Sequence, residues 1–184
     1  MATRWYTAAG DDGYTGVLGR ERVPKYADRP TAYGTVDELS AVLGLVRAQA
    51  REPRMNAVIL AVQRDLYRMM ADLATLPEAV RRPAWLAPER LAWLEATINE
   101  LGAEVEMPRA FIVPGDSLGG ATLDVARTVA RRAERWVARL QHNGELRGDT
   151  ALKYLNRLST LLFLLARLED KAEGVTDFTL AAGE

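Results

Sequence analysis

The chain has 184 residues, with 24 Lys and Arg against 25 Asp and Glu, a formal net charge of -1, one His and no Cys. At about 150 residues per domain this is one domain, long enough to bury a core without covalent staples. The even charge balance argues against a nucleic-acid coat or a polybasic membrane anchor, and the lack of cysteine excludes disulfide frameworks, zinc knuckles, iron–sulfur clusters and thiol nucleophiles.

Residues 1–34 carry Gly10, Gly13, Gly16, Gly19 and Gly34 with Pro24 and Pro30, and no helical period runs through them. They read as an ordered loop or short extended pieces. Thr35-Val36-Asp37-Glu38 fits a capping box with Thr35 as N-cap, opening a first helix to about Ala50 with Leu39, Val42, Leu43 and Val46 on one stripe. Pro53 sits where a first-turn proline of a second helix belongs, and behind it Val58, Val62, Leu66, Met69, Leu73 and Leu76 recur at helical spacing until Pro77. Pro88 opens a third helix with Leu91, Leu94 and Ile98, and residues 101–116 form a linker containing Pro108, Phe111 and Pro114. The fourth helix runs from about Ser117 to Gln141 and the fifth from about Asp149 to Asp170. The expected architecture is all-α: a five-helix bundle, ferritin-like in class, with an ordered glycine-rich N-terminal loop. Within one domain of residues 1–184, the loop takes residues 1–34, the bundle 35–170 and a tail 171–184. No apolar run reaches the roughly 18 residues of a membrane span. Met1 to Tyr6 has the pattern of neither a signal nor a transit peptide, so a cytoplasmic location without membrane or nucleic-acid partners is expected.

Three stretches carry candidate chemistry. In Thr7-Ala8-Ala9-Gly10-Asp11-Asp12-Gly13-Tyr14-Thr15 the glycines allow backbone N–H groups to turn toward an anion, and Lys25 and Arg29 could add charge. A turn-rich arm is the competing reading, and neither common phosphate motif is present. On the fourth helix, Leu123, Ala126, Ala130, Ala133, Val137 and Leu140 define a packing seam, while Arg127, Arg131 and Glu134 form a separate stripe. Arginine forks suit triphosphate or carboxylate; a solvated face laced with ion pairs is the alternative. On the fifth helix, Asn156 and Arg157 interrupt a leucine stripe. Trp85 and Trp93 read as core or interface residues, and His142 as a surface residue at a helix end.

Together these stretches resemble the ATP:corrinoid (cob(I)alamin) adenosyltransferases of the PduO type. The family's T-x-x-G-D-x-G-x-S/T signature is matched by Thr7, Gly10, Asp11, Gly13 and Thr15. Its lysine and A-x-G-x-x-D-E-L-N/S run resemble Lys25 and Ala32 to Ser40. Its F-I/V-L/V-P-G and A-R-T-x-x-R-R-A-E-R blocks resemble Phe111 to Gly115 and Ala126 to Arg135, and its Y-L/V-N-R-L-S is Tyr154 to Ser159. The chain departs from the pattern at Ala8 (a lysine), Asp116 (a second glycine), Asp124 (a histidine) and Thr160 (an aspartate).

The resemblance implies transfer of the 5′-deoxyadenosyl group of ATP to the cobalt of cob(I)alamin, with release of tripolyphosphate. It implies ATP binding by Thr7, Ala8, Ala9, Gly10, Asp11, Gly13, Thr15, Gly16 and Lys25 with Arg131, Glu134, Arg135 and Asn156, and Mg²⁺ carried on the phosphates. Arg127, Arg131, Glu134 and Asn156 would be catalytic, Phe111 would lie beneath the cobalamin, and Asp37 would pair with Arg127 of a neighbour in a homotrimer. A Co(II) reductase and an adenosylcobalamin-dependent enzyme are the further partners implied. The departures leave an alternative, a weak paralogue acting as a corrinoid or nucleotide carrier or scaffold.

Overall fold

A computed structural model of the chain describes residues 5–19, 21–79, 84–106 and 110–182. Five helices follow one another: α1 (Asp28–Gln49), α2 (Met55–Leu73), α3 (Glu89–Gly102), α4 (Leu118–His142) and α5 (Thr150–Ala172). Ahead of them lies a two-stranded antiparallel hairpin, β1 (Tyr14–Gly16) and β2 (Arg22–Pro24), with Thr15 opposite Val23. The expected loop thus contains short extended pieces. Leu18 joins it to the bundle, donating its N–H to the Ala74 carbonyl and accepting from the Leu76 N–H.

The α4 seam is buried along its whole length, from Leu123 through the three alanines to Leu140. Those small residues let α4 lie close against both α1 and α5. From Leu161 to Asp170 every described side chain on α5 except Phe163 is buried. That is the pattern of a central helix rather than one with a single apolar stripe. The core joins it to Leu39 and Leu43 of α1, Leu66 and Met69 of α2, and Leu94 of α3.

The first helix begins seven residues before the expected cap. Thr35 is not an N-cap: it is buried within α1 and its hydroxyl donates to the Thr31 carbonyl. Pro30 misleads the sequence reading. It is the third residue of α1, in the first turn, where a missing N–H costs nothing because that donor has no helical acceptor anyway. Arg29 beside it is 4% exposed and does not reach toward the glycine loop. Its guanidinium donates to the carbonyls of Leu73 (2.5 Å), Thr75 (3.1 Å) and Glu145 (2.7 Å).

The fourth helix starts as expected. Ser117 is its N-cap, the hydroxyl accepting from the Gly120 N–H at 2.9 Å. The same hydroxyl donates to Asp170 Oδ1 (2.5 Å), and Glu173 accepts from the Gly119 N–H (2.7 Å). Carboxylates from the end of α5 therefore sit on the positive end of α4. A Cβ at Gly119 or Gly120 would run into Glu169, Glu173 or Asp170, so this junction requires glycine. Arg167 completes it, 4% exposed at its side chain and bound to Asp124 (3.1 Å) and Asp170 (2.9 Å). Burial raises the Asp170 carboxyl above its ordinary value, while Ser117 and Arg167 pull it down. A second buried carboxylate, Asp65, accepts from the Tyr154 hydroxyl (2.9 Å) and is paired with Arg68 and Arg90.

Candidate active site

Two groups of candidate residues emerge. The first is the glycine loop. Ala8 has φ +59° and Gly13 φ +82°, and turns close from Asp11 N–H to the Ala8 carbonyl and from Gly13 N–H to the Gly10 carbonyl. An alanine in the left-handed region is held there at a cost, so the surrounding contacts must fix the loop. Arg22 supplies those contacts. Its fork takes both Asp12 oxygens at 2.8 Å and reaches the Ala9 carbonyl (2.5 Å). Hydrogen bonding from Arg22 holds the Asp12 carboxyl below its usual range. Lys25 donates its N–H to the Gly13 carbonyl, and its ammonium lies so close that a Cβ at Gly10 would stand 2.9 Å from Nζ. Thr7, Ala9, Asp11 and Lys25 are exposed, and Thr15 and Gly10 half-buried. The result is a constrained loop of amides and hydroxyls with one lysine against it.

The second group lies on α4 and α5. Of the five arginines between Arg127 and Arg139, three are paired with carboxylates. Arg127 Nε donates to Asp124 (2.8 Å), Arg132 binds Glu38, and Arg139 binds Asp28 (2.6 Å). Arg131 and Arg135 have no carboxylate partner among the described residues. Arg135 donates only to the Arg131 carbonyl at 3.1 Å. A face laced with ion pairs therefore describes three of the five and leaves two adjacent forks open. Between the helices, Asn156 Nδ2 donates to Glu134 Oε1 at 2.9 Å, and Asn156 Oδ1 accepts from Arg157 at 2.8 Å. Arg157 continues to Glu95 on α3. This chain of bonds fixes the Asn156 amide and turns a Glu134 oxygen toward it.

Phe111 stands apart from both groups. It is 90% exposed, so core packing does not explain it. Asp37 is exposed on α1 and makes no bond to Arg127 within the chain. No hydrogen bond or ion pair among the described residues joins Thr7–Gly16 or Lys25 to Arg131, Glu134, Arg135 or Asn156. Two further arginines organise the site, Arg22 through Asp12 and Arg157 through Asn156. A hairpin reading of Gly13 to Pro24 would have pointed to Arg22, and Arg157 was visible only as the neighbour of Asn156.

A constrained amide loop, two open arginine forks and an oriented Glu–Asn pair suit a polyphosphate-bearing nucleotide. Comparison with known proteins gives the same direction. The family model for cobalamin adenosyltransferase matches residues 5–169. The chain belongs to the cobalamin adenosyltransferase family. It is 38% identical over 176 residues to the corrinoid adenosyltransferase of Bacillus subtilis, covering 94% of this chain and 89% of that protein. It is also 38% identical to the corrinoid adenosyltransferase PduO of Salmonella typhimurium over 166 residues, 90% of this chain but 49% of that longer protein. Among solved structures, a phenylalanine-to-alanine variant of the PduO-type ATP:corrinoid adenosyltransferase from Lactobacillus reuteri, complexed with cobalamin and ATP, superimposes with a TM-score of 0.90. That match has 30% identity and covers 98% of this chain and 100% of the other. An arginine-to-lysine variant of the same type of enzyme, complexed with ATP, gives a TM-score of 0.86 at 31% identity, covering 96% of this chain and 99% of the other.

Proposed function

We infer that the chain transfers the 5′-deoxyadenosyl group of ATP to the cobalt of cob(I)alamin. The observation that carries this reading is the pair of open forks, Arg131 and Arg135, on a helix whose other three arginines in that stretch are each matched to a carboxylate. Co(I) gives an electron pair to the ribose C5′. The C5′–O bond breaks, its electrons leave with tripolyphosphate, and a Co(III)–carbon bond remains. No protein nucleophile or base is needed, in keeping with a site built mainly from cations, amides and hydroxyls. The protein must neutralise the leaving triphosphate and hold C5′ in line with cobalt.

The loop residues Thr7, Ala8, Ala9, Gly10, Asp11, Gly13, Thr15 and Gly16, with Lys25, wrap the triphosphate. Arg131 and Arg135 meet its charge from the helix side, and Glu134 with Asn156 orient the nucleoside. Among the described residues no group of three or more acidic or histidine side chains could hold a metal ion, and the candidate site offers mainly cations, amides and hydroxyls. Donors of this kind suit phosphate oxygens better than a bare cation, so Mg²⁺ would ride on the triphosphate and screen its charge. Phe111 offers an apolar ring to the lower face of the corrin. Incubation with ATP, Mg²⁺ and chemically reduced cobalamin should give the absorption change of alkylcobalamin formation. An unchanged corrinoid spectrum would overturn the reading.

In this reading a complete site sets the loop of one subunit against the helix face of another; among the described residues no hydrogen bond or ion pair joins the two within one subunit. An exposed apolar strip supports such an assembly. The Glu38–Arg132 and Gln49–Thr122 contacts set α1 antiparallel to α4 and bring Leu45 level with Val125. Leu45, Val125 and Leu118 are 62%, 52% and 70% exposed, with Ala41 and Ala48 exposed nearby. Such a strip of apolar side chains along two packed helices is what a subunit contact buries. The proposed assembly is a homotrimer in which Asp37 reaches Arg127 of a neighbour. Light scattering should give about three times the 20.3 kDa chain, by the preference of oligomers for closed symmetry. Val125→Asp should yield a folded monomer with adenosylation lost; a fully active monomer would remove the shared site. No described helix is long and apolar enough to cross a membrane, and the reading places the enzyme in the cytoplasm, supplied by a Co(II) reductase and serving an adenosylcobalamin-dependent enzyme.

A further inference from the structure

The segment that carries Phe111 is fastened to the C-terminal tail. Val113 N–H donates to the Thr179 carbonyl and Ala181 N–H donates to the Phe111 carbonyl, each at 2.8 Å, with Ile112 opposite Leu180 in an antiparallel bridge. One side chain locks this ribbon. Asp116 accepts from the Thr179 hydroxyl through Oδ1 (2.7 Å) and from the Thr179 N–H through Oδ2 (3.0 Å). One residue before Thr179, Phe178 lies against the Arg167 guanidinium at 5.1 Å, so the tail is also tied to the buried ion-pair network. The ring of Phe111 is 90% exposed, and its carbonyl is held by the tail. Fixing this backbone therefore sets the height and direction of the ring.

We propose that Asp116 is a positioning residue for the corrinoid half of the reaction, clasping tail residues 178–181 to the linker so that Phe111 is presented rigidly to a flat apolar macrocycle. This rests on the reading of Phe111 as the residue beneath the corrin. Ordering a side chain within an ångström or so of its working place decides rate through geometry alone. Asp116 touches neither nucleotide nor corrinoid in this scheme; it acts through the ribbon. The two-point grip on a single threonine gives the clasp a defined register, which a backbone pairing this short would lack.

The test compares Asp116→Ala, Asp116→Asn, Thr179→Ala and Phe111→Ala in the full chain. An apolar ring beneath the corrin displaces the lower ligand of Co(II) and leaves it four-coordinate; with ATP present, Asp116→Ala should lower both turnover and that four-coordinate fraction by about tenfold, as misplacement of a positioned group does. The KM for ATP and the melting temperature should stay at wild-type values. Amide exchange at Val113 and Ala181 should lose its protection, and Asp116→Asn, which keeps one acceptor, should recover part of each effect. Thr179→Ala, which removes only the hydroxyl, should follow the same pattern more weakly and serves as the measure if Asp116→Ala folds poorly. Unchanged cobalt coordination in Asp116→Ala beside a clear loss in Phe111→Ala would overturn the clasp alone. Unchanged coordination in Phe111→Ala would remove the reading of Phe111, and the positioning role with it.

Discussion

Arg131→Ala should lose about 10²–10³-fold in adenosylation, the usual cost of deleting one group that meets charge developing in a transition state. Its guanidinium has no partner in the fold among the described residues, so helicity and melting temperature should not move. KM for ATP should rise less than turnover falls, because the triphosphate gains charge as the C5′–O bond breaks. Arg139→Ala gives the comparison: that fork is already occupied by Asp28, and the variant should turn over at nearly the wild-type rate. Stopped-flow absorbance at fixed corrinoid and varied ATP separates the two parameters. Near-wild-type turnover in Arg131→Ala would remove the basic helix face from the mechanism.

Arg167→Met should produce the largest loss of stability. The substitution keeps much of the side-chain bulk but leaves Asp124 and Asp170, 5% and 2% exposed, without their shared cation. Breaking one member of a buried network costs about 3–5 kcal/mol, because among the described residues Asp170 keeps only the Ser117 hydroxyl and stays desolvated, while Asp124 retains Arg127. The pH dependence carries a sign. Burial already raises the Asp170 carboxyl above its ordinary value of 3.8, so between that value and its higher folded value the native state binds more protons than the unfolded chain. Stability at this group therefore increases as pH falls through the folded value, and losing Arg167 strengthens the effect. Denaturant melts of the variant should show its deficit narrowing as pH falls from neutrality toward the ordinary carboxylate value, with the wild type changing less. A deficit that stays constant or widens on acidification would exclude charge desolvation as its cause.

The α4 seam and the leucine stripe of α5 could be read from the sequence because both are periodic, and the period survives whatever packs against it. The start of α1 could not. Pro30 and Gly34 break the local pattern, and the contacts that hold this turn, from Arg29 to Leu73, Thr75 and Glu145, span 44 to 116 residues. The same limit divides the arginines of α4. Only the Arg127–Asp124 pair lies within one helical turn, while Glu38 and Asp28 come from α1, so the sequence alone does not reveal which two forks stay open. Asp116 read as a departure from a glycine pattern, because its partner Thr179 is 63 positions away.

The buried Arg29 also sets an order of events. Its carbonyl partners lie at the end of α2 and in the turn after α4, so the root of the glycine loop cannot be seated until the chain has closed on itself over more than a hundred residues. Closures of that span come late, after local helices and their nearest neighbours have formed. During synthesis the glycine-loop arm is made before the helices of the bundle and is among the last parts to be anchored. The segment that is to hold ATP thus takes its working shape only once the rest of the bundle has formed.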